Sequence, residues 1–519
     1  MKILPGFTKE TFTKDRVLEL VRCGIYLCCF VGMILHLNAH ENVLYEVQKG
    51  LHRDIVFIFF FIFLFTLQKI KLINWQSALV SGVFLPVCVF RILSYAGSAE
   101  LFQTAVLDHI VYWMALMLIT DMVVSGRVRS LKKANVALFA FLCFLTAWLI
   151  YNREGRAVPF FYLYCILLCL IPVSEKEWNR VIDALVAAGF VSLIVVIIVS
   201  EWVNPVEVSL AGGERWYAYF LTLGTFGQFI GLETVLVVVA LFRIKSRYQN
   251  SLILYFICGV WLLLNAVLAL LCGALNYFVG LTLFLAVLFV FGFRKTRFPW
   301  LVIRALIATS VLLMAGILIL DVIPVIVSPD YDADAVMRII GYTPLRFFPG
   351  GAQEVAAKME SLHTYRQANY NFVSDSAAFQ NNPIMVFLDM LGSGRASIWN
   401  VFLANTSFEP NSGGLYIGTF FVLHAHNEFI QLMFEYGFFV GGMNILFFII
   451  GWIVVVIRYV KDKKEIFLLP LLMIPMMLGM WVGETSSVFY QLTGISLICL
   501  MTVVLFGIPD KTGEELKGA

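Results

Sequence analysis

The feature that most constrains this chain is a succession of apolar runs, each roughly 17 to 25 residues long, separated by polar or basic connectors. A helix rising about 1.5 Å per residue needs that length to cross a hydrocarbon layer about 30 Å thick. Lipid offers no partner for backbone N–H and C=O groups, so runs of this kind must be helices. We read fourteen, over residues 17–38, 54–68, 75–95, 103–124, 134–151, 158–173, 180–200, 220–242, 250–272, 275–293, 300–320, 428–457, 465–482 and 487–507. With 61% hydrophobic and only 14% charged residues, the chain has more apolar surface than one water-soluble core can hide. The expected fold class is an all-α polytopic membrane protein with about fourteen transmembrane helices and the lipid bilayer as its first partner.

Charge then sets an expected topology. Lys and Arg beside membrane helices stay on the cytoplasmic side. With the N-terminus inside, the inner segments hold twenty-four of them, from Lys2 to Lys517, and the short outer loops hold five, Lys49, Arg53, Arg153, Arg156 and Arg215. Both termini are therefore expected in the cytoplasm, and helix one is read as an uncleaved signal anchor. The net charge of +3 follows from this asymmetry and implies no nucleic-acid partner.

The same count places residues 321–426 outside, as a segment too long to be a plain connector. The chain then divides into helices 1–11 (residues 1–320), an extracytoplasmic cap loop that is partly helical (321–426), and helices 12–14 with a cytoplasmic tail (427–519). The ten cysteines all fall inside expected spans, so they read as small apolar packing residues and not as a disulfide or zinc framework.

Three polar groups converge on the outer face. The first is His424-Ala425-His426-Asn427, where the long segment re-enters the membrane, followed by a turn ending at Glu435 and Gly437. Residues two apart share a face in an extended chain but diverge by about 200° in a helix, so the two histidines point together only if the segment is extended. Helical geometry would leave one of them, His426, as the active group. The second is Gly392-Ser393-Gly394-Arg395, running on to Trp399: a Gly-Ser-Gly turn into a helix offers free N–H groups, and an Arg in the first turn adds a fork of donors suited to an oxyanion. The third is Gly212-Gly213-Glu214-Arg215 with the Gly224-Thr225-Phe226-Gly227 element that follows. Each group also has a plain structural reading, as headgroup-level histidines, a surface-helix turn and a snorkelling arginine.

Together they resemble the O-antigen ligase and polysaccharide polymerase superfamily of bacterial envelope glycosyltransferases. The resemblance rests on the helix pattern, the Gly-x-Phe-Gly element, Ser-Gly-Arg-x-x-x-Trp at 393–399, and His426-Asn427 followed after nine residues by Gly437. Val440 stands where the family has a small residue, and Gln228-Phe229-Ile230 replaces its Asn-Pro-Asn. The resemblance implies a glycosyltransferase-C-like fold and metal-independent, inverting transfer of a glycan from a polyprenyl (undecaprenyl) diphosphate donor to a glycan or lipid-core hydroxyl acceptor. It implies His426, Arg395 and Arg215 as catalytic residues, with His424, Asn427, Ser393, Gly394, Trp399 and Glu435 binding substrate. No cofactor is expected; the acidic run Asp330-Tyr331-Asp332-Ala333-Asp334 lacks the Gly and terminal Glu of a calcium loop. The competing function is a flippase or transporter of lipid-linked oligosaccharide, whose sites lie near the midplane between repeated halves. No repeat is visible here.

Charged residues inside the spans need partners or a watery cavity. Arg91 and Asp108 lie at similar depth on consecutive helices, as an ion pair or a binding site, and Glu233 either orients Arg215 or bonds a neighbouring helix.

Overall fold

A computed structural model gives the architecture and describes residues 14–35, 49–69, 75–94, 99–126, 170–203, 223–247, 251–272, 274–292, 395–411, 414–417, 420–422 and 424–483, with scattered positions between them. Nearly all of it is helix. The elements are α1 (Lys14–Leu35), α2 (Lys49–Gln68), α3 (Trp75–Leu93), α4 (Ala99–Ser125), α5 (Glu175–Val203), α6 (Leu223–Arg247), α7 (Leu252–Cys272), α8 (Leu275–Gly292), α9 (Arg395–Ala404), β1 (Leu415–Ile417), β2 (Phe420–Val422), α10 (Glu428–Asp462), a 3-10 turn (Glu465–Phe467) and α11 (Leu468–Gly483). Seven helices among the described residues are long and apolar enough to cross a membrane, and three shorter apolar ones, Ile55–Gln68, Leu79–Leu93 and Asn276–Phe291, fall at further expected spans. The expected spans 134–151, 158–173, 300–320 and 487–507 lie wholly or largely outside the described residues. The all-α expectation is modified by one short antiparallel ribbon, β1–β2, which pairs Leu415 with Val422 and Ile417 with Phe420.

Large apolar side chains left uncovered mark the surfaces that face lipid. On α3 they include Val83, Val87 and Phe90, on α7 Leu252, Phe256 and Leu263, and on α10 Ile450, Ile453 and Ile457. Such a display is costly in water and costs nothing in a bilayer.

The described residues form two compact units that divide within α5, between Val196 and Ile197. In the first, α2 packs against α1 and α4, and α3 packs against α4. Its core is aromatic, with Phe57, Phe60 and Phe61 buried beside Tyr26. A polar network closes one end: the Tyr26 hydroxyl donates to Glu177 at 2.7 Å, and Arg180 bridges Glu177, at 2.8 Å, and Glu19. On the neighbouring helices Asp108 is buried in α4 and Arg91 is exposed on α3.

The second unit is built around α6 and α11, each 89% buried over its membrane window, whereas α7 is only 28% buried over its own and so lies at the periphery. Helix α8 packs along α11 through glycine: a Cβ on Gly479 would stand 2.6 Å from the Cα of Gly280. Without a hydrophobic drive between helices in lipid, this backbone approach maximises dispersion contact. The Gly-x-Phe-Gly element serves a similar purpose at the start of α6. A Cβ on Gly227 would lie 2.9 Å from the Asn276 side chain, which donates to the Gly224 carbonyl at 3.2 Å, and Phe226 and Phe229 stack with Phe220 in the core.

Helices α10 and α11 form an antiparallel hairpin. Its turn carries Lys463 in the left-handed conformation (φ 53°), with the Lys463 N–H bonded back to Tyr459. About three turns back along α10 from Lys463, Trp452 Nε1 donates to the Leu471 carbonyl at 3.2 Å. Arg247 and Ser246 at the end of α6 both reach Glu465 beside that turn, so Arg243, Lys245, Arg247, Lys461, Lys463 and Lys464 gather at one end of the unit. The two histidines stand at the start of α10, at the opposite end.

Candidate functional site

The site is assembled where the ribbon hands the chain to α10. Asn427 is the helix cap: its backbone is extended (φ −155°, ψ 115°) and its Oδ1 accepts the Ile430 N–H at 3.1 Å. Such a cap removes one of the orphan donors at a helix start and is worth about 1 kcal/mol. Its Nδ2 donates across to the Val482 carbonyl in the last turn of α11 at 3.1 Å. The expected substrate-binding residue Asn427 is thus buried and holds the fold together at this point.

One residue earlier, His426 takes φ 51°. Left-handed backbone is uncommon outside glycine, although histidine is among the residues enriched there, and strain of this kind gathers at sites where geometry is imposed by surroundings. The turn at His426 keeps the preceding chain out of the helix, and the two rings converge through this left-handed bend, neither in a continuous strand nor in a helix. The imidazoles of His424 and His426 meet with centroids 4.3 Å apart and planes at 58°. Both are half-buried.

Below them Gln431 locks the segment. Its Oε1 accepts the Ala425 N–H at 2.7 Å and its Nε2 donates to Glu435 at 2.6 Å. Residues 427, 431 and 435 lie on one face of α10 at four-residue spacing, which makes a polar ladder descending from the histidine pair. Glu428, in the first turn, is fully buried. Glu435 was anticipated as a binding group; Gln431 was not, although its spacing of four to Glu435 was readable as the signal.

Helix α9 packs on the same turns. Phe402 meets Phe434 edge-on at 4.8 Å, and Phe402, Ala425, Ile430 and Phe434 form a buried cluster covered by Ile398, Trp399, Leu415 and Val422. Trp399 therefore supports the floor of the histidine segment, with its indole Nε1 buried and without a hydrogen-bond partner among the described residues. Arg395 opens α9; its side chain lies outside the described atoms. Ser393 and Gly394, and Arg215 of the third group, lie outside the described residues. Of the second group named from sequence, Trp399 is thus brought beside the His426 segment, while its Gly-Ser-Gly turn and the Arg395 side chain lie outside what the structure describes.

Helix α10 breaks at Gly437, whose φ of 81° and ψ of 152° only glycine adopts freely. In a regular helix the Phe438 N–H would bond the Phe434 carbonyl. At the break the loop after α9 takes both partners: Phe438 N–H donates to Ser407 O at 2.7 Å, and Asn411 N–H donates to Phe434 O at 3.2 Å. Gly437 is thus where residues 405–411 strap onto the helix, which accounts for a glycine separated from the His-Asn pair by nine residues.

Among the described residues no three His, Cys, Asp or Glu side chains come together as a metal-binding group. No family model, no curated protein and no solved structure matches this chain.

Proposed function

We propose that the chain is a membrane glycosyltransferase of cell-surface polysaccharide assembly, which moves a glycan from a polyprenyl diphosphate to a hydroxyl acceptor. The observation that carries this reading is the meeting of the His424 and His426 rings, 4.3 Å apart, at the root of a helix on which the Arg395 helix also packs. A donor of this kind keeps its tail in the bilayer and its diphosphate at headgroup level. An enzyme for it needs a base and cations at the rim of a helical bundle, where the histidines stand.

Orientation follows from the basic cluster at the far end of α10 and α11, which the positive-inside rule assigns to the cytoplasm. The histidine end is then extracytoplasmic, in an inner or cytoplasmic membrane. About twenty-five residues of α10 beyond Gly437, or about 38 Å at helical rise, separate the two ends.

In the reaction, the acceptor oxygen forms a bond to the anomeric carbon as the bond from that carbon to the phosphate oxygen breaks. The electron pair leaves with the polyprenyl diphosphate, and the acceptor proton passes to His426. Arg395 and Arg215 offset the charge that develops on the leaving group, and a single displacement inverts the sugar carbon. His424, beside His426, binds the substrate.

The test is purified protein in liposomes with a labelled polyprenyl-diphosphate glycan and an acceptor glycan or lipid core. Transfer with release of polyprenyl diphosphate is expected, and Arg395→Lys should lose most of it, because a point charge does not reproduce a planar fork. Movement of intact lipid-linked glycan across the bilayer, with no diphosphate released, assigns the protein to transport instead.

A further inference from the structure

A second polar constellation lies in the apolar interior of the second unit, distinct from the histidine segment. Glu233 sits ten residues into α6, about 15 Å from its start and about 21 Å from its end at helical rise, and is 0% exposed. One carboxylate oxygen, Oε2, accepts the Trp261 indole N–H at 3.0 Å. The other, Oε1, is buried with no hydrogen-bond partner among the described residues.

Four residues beyond Trp261 on α7, Asn265 (1% exposed) donates through Nδ2 to the Ile230 carbonyl at 3.2 Å and to Thr234 Oγ1 at 2.7 Å. Its own Oδ1 is likewise buried without a partner among the described residues. Thr234 Oγ1 donates to the Ile230 carbonyl at 2.9 Å and lies 3.2 Å from the Tyr277 hydroxyl of α8. Residues 230, 233 and 234 share one face of α6, and 261 and 265 share one face of α7. Glu233 and Asn265 therefore belong to one polar patch on the seam between α6 and α7.

Among the described residues, the helices packed on α6 carry no basic side chain to neutralise an acid. Helices α7, α8 and α11 have no Lys, Arg or His; their titratable groups are Tyr255, Cys258 and Cys272 on α7 and Tyr277 on α8, with none on α11. On α6 itself the first basic residue is Arg243, ten positions away. A lone carboxylate in such surroundings costs many kcal/mol, and two acceptor oxygens without donors add to the cost. A single positive charge at the patch satisfies both deficits.

We propose that Glu233 and Asn265 form an intramembrane binding site for one monovalent positive charge, a proton or a small alkali cation, with the Asn265 amide held in place by Thr234, which Tyr277 braces in turn. One carboxylate among neutral oxygens matches one unit of charge; a divalent ion takes more carboxylates. The site is independent of the glycan-transfer reading.

The test uses the full-length protein in detergent. A charge bound by the fold and released on unfolding ties stability to its concentration. A bound proton makes wild-type melting temperature fall as pH rises from about 5.5 to about 9.5, and Glu233→Gln removes that part of the slope. A bound alkali cation instead raises the wild-type melting temperature when sodium or lithium replaces choline, and Glu233→Gln abolishes the rise. A hydrophobic carbodiimide gives a reading that needs no variant. The protonated acid adds its O–H across the carbodiimide C=N bond, and the acylisourea rearranges to a stable N-acylurea found by mass on Glu233. Labelling should fall about tenfold per pH unit above the midpoint, or be blocked by sodium but not choline. Wild type and Glu233→Gln with equal dependence on pH and cation overturn the proposal; so does labelling of Glu233 that neither pH nor sodium alters, should the variant not fold.

Discussion

Replacing Gly437 by alanine tests the strap that joins residues 405–411 to α10. A side chain there must adopt φ 81° and ψ 152°, a region that costs a non-glycine residue about 1 to 3 kcal/mol. Its Cβ would also collide with the Phe408 carbonyl. The helix can escape by straightening, which restores the Phe438 to Phe434 bond and expels the loop, at the loss of the two bonds from Ser407 and Asn411 worth about 1 kcal/mol each. The strain, about 2 kcal/mol, falls on the strapped state alone, and by linkage raises the population of released loop about thirtyfold. Phe408 is exposed within that loop, so limited cleavage of the Phe408–Glu409 bond by chymotrypsin, followed by fragment mass, reads the release. Gly442→Ala is the control in the same helix, because a Cβ there meets nothing within 4 Å. It should leave cleavage unchanged. Equal cleavage of Gly437→Ala and wild type would refute the account of the break.

His426→Asn should abolish glycan transfer while keeping the melting temperature, since asparagine tolerates the left-handed backbone that alanine resists; full transfer would remove His426 from the chemistry. His424→Ala should lower transfer less than His426→Asn, measured as released polyprenyl diphosphate in the same assay, because it removes a neighbour and leaves the base. Asn427→Ala should cost about 2 kcal/mol of stability, for cap and cross-helix bond together, and Asn427→Asp should recover the cap alone, both followed by thermal unfolding in detergent. Gly280→Ala should lower the melting temperature sharply, because its Cβ would stand 2.6 Å from the Met476 carbonyl where α8 and α11 meet.

The helices were legible in the sequence because lipid imposes length and apolarity on every span. The runs read at 75–95, 250–272 and 275–293 meet helices at Trp75–Leu93, Leu252–Cys272 and Leu275–Gly292 within a few residues. The polar landmark at His424 to Asn427 was legible too, because hydrophilic side chains are scarce in this chain. The part each would play locally was not. Whether two histidines at spacing two converge depends on one dihedral at His426, and that dihedral is held by contacts from Gln431 and from α11, fifty-five residues beyond Asn427. Glu233 was left between two partners because the tryptophan that bonds it lies on another helix, and helix faces cannot be paired from one sequence. Gly437 stood out by its spacing, yet its reason lies in Ser407 and Asn411, whose backbone groups carry no sequence signature.

The bond from Asn427 to residue 482 ends on a main-chain oxygen. Its two ends therefore differ in how they tolerate inherited change. Almost any amino acid at position 482 presents the same acceptor, so that end can vary without loosening the histidine turn. The asparagine end has no such freedom: one amide supplies both the cap acceptor and the cross-helix donor, and no other side chain of that length carries both.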